Sequence, residues 1–128
     1  MSGRALARTK VSRRKAMGVH YTPPLLAEFL ARRLIPFVAP RLNEPLRILD
    51  PACGDGALLE SVLTALREGG IDPGVIVGIE ADEGALCAGR FRLSRFGEVR
   101  CDLIECDFLE LVSTSDPQAH LWDSDPSV

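Results

Sequence analysis

The sequence contains no apolar run approaching the roughly 20 residues that a membrane-spanning helix requires, and no CxxC pair among its four cysteines. The first absence argues against an integral membrane helix, the second against a zinc site or a dithiol redox centre. Cys53, Cys87, Cys101 and Cys106 read instead as buried thiols of a reducing cytoplasm. The charged n-region and apolar h-region of a secretory signal are missing as well. So are acids before residue 17, where Arg4, Arg8, Lys10, Arg13, Arg14 and Lys15 stand. The remaining residues hold nine basic against 18 acidic side chains, about −9 beneath an overall charge of −3. That body is unsuited to holding a polyanion by general electrostatics. Residues 1–17 are read as a basic flexible tail with three open roles: an arm along phosphates, an Arg-rich transit segment, or a solvated terminus. With 46% hydrophobic and 26% charged residues, 128 residues suffice for one domain with a core.

What is present is concentrated in Ile48-Leu49-Asp50-Pro51-Ala52-Cys53-Gly54-Asp55-Gly56. An apolar strand ends in a carboxylate and turns through two glycines into a helix, the way a parallel α/β sheet opens a nucleotide pocket. Gly54 and Gly56 permit positive φ and close approach of the backbone to a ligand. Asp50 points to the ligand's charge: a phosphate loop offers amides and a helix N-terminus to an anion, which a carboxylate at its mouth opposes. Leu59 occupies the place of the third glycine of a dinucleotide fingerprint, and no Lys-Ser or Lys-Thr pair follows as in a P-loop. NAD and ATP are therefore disfavoured, and a cationic or neutral ligand fits better. A glycine turn serving geometry alone is the competing reading.

The flanking elements repeat this grammar. Thr22 suits an N-cap and Pro23 a first helical position. Leu26, Phe29, Leu30 and Leu34 then recur at helical spacing, with Glu28, Arg32 and Arg33 outside, until Pro36 is expected to stop the helix. Leu46 to Asp50 is the first strand, and Gly56 to Glu68 a helix burying Leu59, Val62, Leu63 and Leu66 before Gly69-Gly70. Val75 to Glu80 is a second buried strand, so strand, helix and strand form a right-handed βαβ unit. Glu80 ends that strand where one carboxylate chelates two ribose hydroxyls. Asp82 is expected to cap a helix from Glu83 to Leu93. A third strand ends at Asp107-Phe108, where Asp107 suits an exocyclic amine and Phe108 a stacked ring. A solvent-facing acid beside a core phenylalanine explains the same pair.

Asp50-Pro51-Ala52-Cys53-Gly54-Asp55-Gly56 resembles the DPACGSG motif of S-adenosylmethionine-dependent DNA methyltransferases, particularly those modifying adenine at N6 in restriction-modification systems. Gly18-Val19-His20-Tyr21-Thr22-Pro23 resembles their G-x-x-YTP element, Gly78-Ile79-Glu80-Ala81-Asp82 the run that ends their second strand in an acid, and Cys106-Asp107-Phe108-Leu109 their GDFL motif. The likeness runs from about Gly18 to Leu109. It implies S-adenosylmethionine as cofactor, with Asp50 facing the methionine ammonium directly or through water. Pro51, Ala52, Cys53, Gly54 and Gly56 form the surrounding loop, Tyr21 and Thr22 contact the cofactor, Glu80 holds the ribose, and Ala81, Asp107 and Phe108 surround adenine. Ala81 is smaller than the family's usual residue there, and Asp55 replaces a small one and is expected to face solvent.

The family's Asn-Pro-Pro-Tyr or Asp-Pro-Pro-Tyr acceptor tetrapeptide is missing: neither Asp116-Pro117 nor Asp125-Pro126 is followed by proline and an aromatic. No catalytic and no metal-ligating residue is therefore assigned. The resemblance implies a Rossmann-like α/β methyltransferase fold, with a parallel sheet in the order 3-2-1, flanking helices and truncation before the fourth strand. Residues 18–112 are then the S-adenosylmethionine-binding portion and 113–128 a polar loop or truncated end. The expected function is an adenine-N6 DNA methyltransferase in a cytoplasmic setting, with DNA as partner and a further subunit completing the sheet. The alternatives are a non-catalytic S-adenosylmethionine-binding module or split subunit, and an RNA or protein-glutamine methyltransferase. An open first-strand edge predicts that the isolated chain self-associates or is marginally folded.

Overall fold

The computed structural model describes residues 21–38, 46–114 and 121–122. The basic tail and most of the expected terminal loop lie outside them. The elements are α1 (Pro24–Val38), β1 (Arg47–Asp50), α2 (Ala57–Glu68), β2 (Val75–Glu80), α3 (Glu83–Leu93), β3 (Arg100–Glu105) and α4 (Phe108–Thr114). The three strands form one sheet with β2 at its centre and every pairing parallel. This is the order expected from the sequence, since two successive right-handed crossovers place α2 and α3 on the same face.

Strand parity divides the core. Ile48 and Ile76 face α2 and α3, joining Leu59, Leu63, Leu86, Leu93 and Phe96. Val77 and Ile79, both fully buried, face the opposite side with Leu49, Phe108, Leu111 and Leu121. β2 is apolar on both faces because it is covered on both, as a central parallel strand must be. α2 buries the four residues that its periodicity marks, Leu59, Val62, Leu63 and Leu66.

Three local expectations are corrected. α1 begins at Pro24, with the Pro23 carbonyl accepting from the Ala27 amide at 2.9 Å, one residue later than the Thr22 cap implies. Pro36 lies inside its last turn and does not stop it: the helix runs two residues further, without the hydrogen bond that an amide at position 36 would have made. The buried side of α1 is Ala27 and Ala31, and Ala31 packs in one cluster with Val62, Leu66 and Ile71. The larger Leu26, Phe29, Leu30 and Leu34 are exposed, and Phe37 is 77% exposed. Two helices approach closely through alanines, so the small face wins the contact over the apolar stripe. α4 runs on to Thr114, and Leu121 beyond it is buried in the second cluster.

Candidate cofactor site

Gly56 caps α2 with φ of 80°, and Gly54 has φ of 55°, so both glycines of the loop use the left-handed region that side chains disfavour. Between them the loop is tied down. The Cys53 amide donates to the Ile79 carbonyl at 2.9 Å, and the Gly56 amide to the Cys53 carbonyl at 2.9 Å. Cys53 is buried over Gly78 of β2: a Cβ on Gly78 would lie 2.9 Å from Cys53 Sγ and 2.6 Å from Leu103 Cδ2. Gly78 thus makes the room that lets the loop lie down on the sheet. Sequence reasoning overlooked it, although a lone glycine within Val75-Ile76-Val77-Gly78-Ile79 signals a close backbone approach.

Asp50 and Glu80 share a face. Asp50 stands opposite Gly78 in the register, and Glu80 lies two residues further along the same strand as Gly78, with the same parity. Two residues of rise and one strand spacing separate their backbone positions by about 8 Å. Glu80 in turn stands opposite Glu105, with Asp107 two residues beyond it. Asp50 and Glu80 therefore climb obliquely across two neighbouring strand ends, while β3 ends at Glu105, two residues before the Asp107 expected at its end.

The electrostatics agree with a cationic guest. Burial is the main cause that raises the Asp50 carboxyl above its ordinary value, and the Ala52 amide, donating to Asp50 Oδ1 at 3.1 Å, works against it. Burial, reinforced by the charges of Asp50, Glu80 and Asp55, pushes the Cys53 thiol up to about 12. Cys53 is thus a protonated packing residue surrounded by carboxylates, and nucleophilic chemistry is not its role. A half-buried carboxylate beside further acids gains most from a ligand that brings a positive group.

The remaining expected residues divide. The Tyr21 ring lies against the loop, since a Cβ on Gly54 would stand 3.1 Å from Tyr21 Cδ1. Thr22 is half-buried beside it, while Pro51, Ala52 and Ala81 are exposed at the rim. Asp107 is exposed, and its Oδ1 accepts from the Leu109 amide at 2.8 Å at the start of α4. Phe108 packs with the cluster on the opposite face of the sheet. These two residues already have the structural uses that the sequence left open.

Asp55 corrects another expectation, for it does not face solvent. Its Oδ2 pairs with Arg92 at 3.1 Å, and its Oδ1 accepts from the Ala57 amide at 3.2 Å. A cavity of about 430 Å³ lies beside this pair, bounded by Tyr21, Thr22, Glu28, Ser61, Arg92 and Arg95 among others. It runs between α1, α2 and α3, and includes neither Asp50 nor Glu80. Of the expected cofactor residues it takes in Tyr21 and Thr22.

Residues 5–94 match the family described as N-6 DNA methylase. The chain is 35% identical over 118 residues to Type II methyltransferase M.BanIII of Aneurinibacillus aneurinilyticus, covering 90% of this chain and 20% of that protein. Among solved structures, a Listeria monocytogenes protein assigned to the class I S-adenosylmethionine-dependent methyltransferases superposes with a TM-score of 0.54 at 21% identity, covering 79% of this chain and 32% of that one. The chain thus spans about a fifth of the curated relative's length and a third of the structural neighbour's.

Proposed function

The chain belongs to the N-6 DNA methylase family, and from that premise we propose that residues 18–112 seat S-adenosylmethionine for methyl transfer to adenine N6 in DNA. The observation that carries this reading is the placement of Asp50 and Glu80 on one sheet face, two residues out of step, astride a turn with two positive-φ glycines. In it Asp50 holds the methionine ammonium, directly or through water, and is kept ionised by that opposite charge. The backbone around Cys53 and Gly54 lies against the same end of the cofactor, with Tyr21, Thr22, Pro51 and Ala52 at its edge. Glu80 accepts from both ribose hydroxyls, and Asp107 accepts from the adenine amine beside Ala81, while Phe108 stays packed on the far face of the sheet and does not stack on the ring.

The cofactor supplies a methyl group already made electrophilic by its sulfonium. What these residues contribute is orientation, which converts an encounter into an aligned transfer. The acceptor base must leave the DNA stack to be reached, and holding it there falls to groups outside this stretch, either in further polypeptide or in a partner subunit pairing at β1. The relative's type II designation favours site-specific methylation of the restriction-modification kind. A reducing cytoplasm is the setting proposed, although of the four cysteines expected to be buried only Cys53 is, with Cys101 and Cys106 half-buried and Cys87 exposed.

Calorimetric titration of the chain and of a Glu80→Ala variant with S-adenosylmethionine, with circular dichroism as the folding control, tests the reading. Saturable binding by the wild type and its loss in the variant are expected. A folded wild-type chain that does not bind overturns it.

A further inference from the structure

We propose that Arg92 is the positioning residue of the cofactor loop, an assignment that rests on reading that loop as the cofactor's seat. Arg92 lies on α3, outside the strand-end acids, and its guanidinium addresses three acceptors at once. Nε donates to the Asp55 backbone carbonyl at 3.1 Å, Nη2 to Asp55 Oδ2 at 3.1 Å, and Nη1 to Glu60 Oε2 at 2.9 Å. Glu60 belongs to the first turn of α2, so one side chain ties the glycine turn both to the helix it opens and to the helix beside it. Arg95 secures the far side of Glu60 at 3.0 Å.

Two bare backbones bring Arg92 within reach. A Cβ on Gly56 would lie 3.3 Å from Gly89 Cα, and one on Gly89 would lie 3.4 Å from the Asp55 carbonyl carbon. α3 therefore touches the loop without intervening side chains, and Arg92 follows one turn later on α3. The planar fork of arginine matches this set of acceptors, whereas a lysine ammonium cannot reach three of them in fixed directions. The contact answers a physical need. A turn with glycine on either side of Asp55 has an unusually large choice of conformations, and each one not suited to the ligand lowers affinity. Holding the turn before binding removes that cost. Asp55, which stands where the resembling motif has a small residue, is the handle by which it is held.

Hydrogen exchange at the amides of Gly54, Asp55 and Gly56 in the 128-residue chain, together with titration by S-adenosylmethionine, tests the assignment in Arg92→Ala, Arg92→Lys, Asp55→Ala and the Arg92→Ala/Asp55→Ala pair. Arg92→Ala is expected to speed exchange at the turn and weaken binding about tenfold, the cost of ordering a loosened loop at the moment of binding. Arg92→Lys should recover part of the affinity, and the paired variant should lose less than the two single losses combined, because both act through one contact. A lower melting temperature for Arg92→Ala with unchanged exchange and affinity would overturn the proposal and leave Arg92 a stabilising residue only. A folded wild-type chain that does not bind overturns the cofactor reading instead, and exchange at Gly54 to Gly56 then decides the clamp by itself.

Discussion

Replacing Gly54 by alanine imposes two separable costs at the centre of the candidate site. The backbone there has φ of 55°, and an L-residue in the left-handed region costs about 1 kcal/mol or somewhat more. The added Cβ would also stand 3.1 Å from Tyr21 Cδ1 and 3.3 Å from Cε1. Those distances are tight without being impossible, so the ring must retreat by a few tenths of an ångström, at about another 1 kcal/mol. The expected total of about 2 kcal/mol corresponds to a melting temperature lower by about 8 °C for a domain of this size. Chemical and thermal unfolding of Gly54→Ala measure the total, and the same substitution in a Tyr21→Ala background separates its parts. There the crowding vanishes and about 1 kcal/mol of backbone cost should remain. A Gly54→Ala chain as stable as wild type would refute the conformational argument. An unchanged cost without the Tyr21 ring would refute the contact.

Three further outcomes follow from the same site. Because burial raises the Asp50 carboxyl in the folded chain, its favourable protonated state is fully present below the unfolded value near 3.8 and is lost as pH rises through the folded one. Asp50→Asn should therefore stabilise the ligand-free chain at pH 7 while weakening S-adenosylmethionine binding, and urea unfolding beside calorimetry would expose a variant that does neither. The Cys53 thiol, ordinarily near 9 and raised to about 12 on folding, contributes stability that is intact below pH 9 and declines between pH 9 and 12; alkaline unfolding of Cys53→Ala should show a shallower decline. Gly78→Ala would press a methyl group to 2.6 Å from Leu103 and 2.9 Å from Cys53 Sγ, costing about 1 to 3 kcal/mol, and a neutral result in denaturant titration would mean that the loop does not lie on β2 as described.

Elements whose own residues carry their signals were legible in the sequence. β2 from Val75 to Glu80 and α3 from Glu83 to Leu93 have the bounds that their apolar run and cap suggest, with Asp82 Oδ2 accepting from the Ala85 amide at 2.9 Å. The carboxylates at strand ends are equally local features. What was hidden depends on partners. Periodicity finds the apolar stripe of α1 but cannot say that α2 meets it at Ala31, because the closeness of two helices is a property of the pair. Asp55 looked solvent-facing because Arg92 lies 37 residues away in sequence. α4 lacked a strong pattern, being seven residues long and held partly by contacts to the far face of the sheet.

The parallel pairing of the sheet bears on how the chain reaches this structure. Arg47 pairs with Val75 and Val75 with Arg100, so no strand meets its neighbour without first closing more than two dozen residues of chain. A hairpin can form alone, but neither of these pairs can, and the entropy of closure is spent before any ladder hydrogen bond repays it. α2 and α3, which shorten those segments and carry the apolar faces, must therefore be at least partly formed when β2 settles between its neighbours. Substitutions at Ile76 or Leu63 should slow refolding, whereas changes on the outer surface of α1 should mainly alter the rate of unfolding.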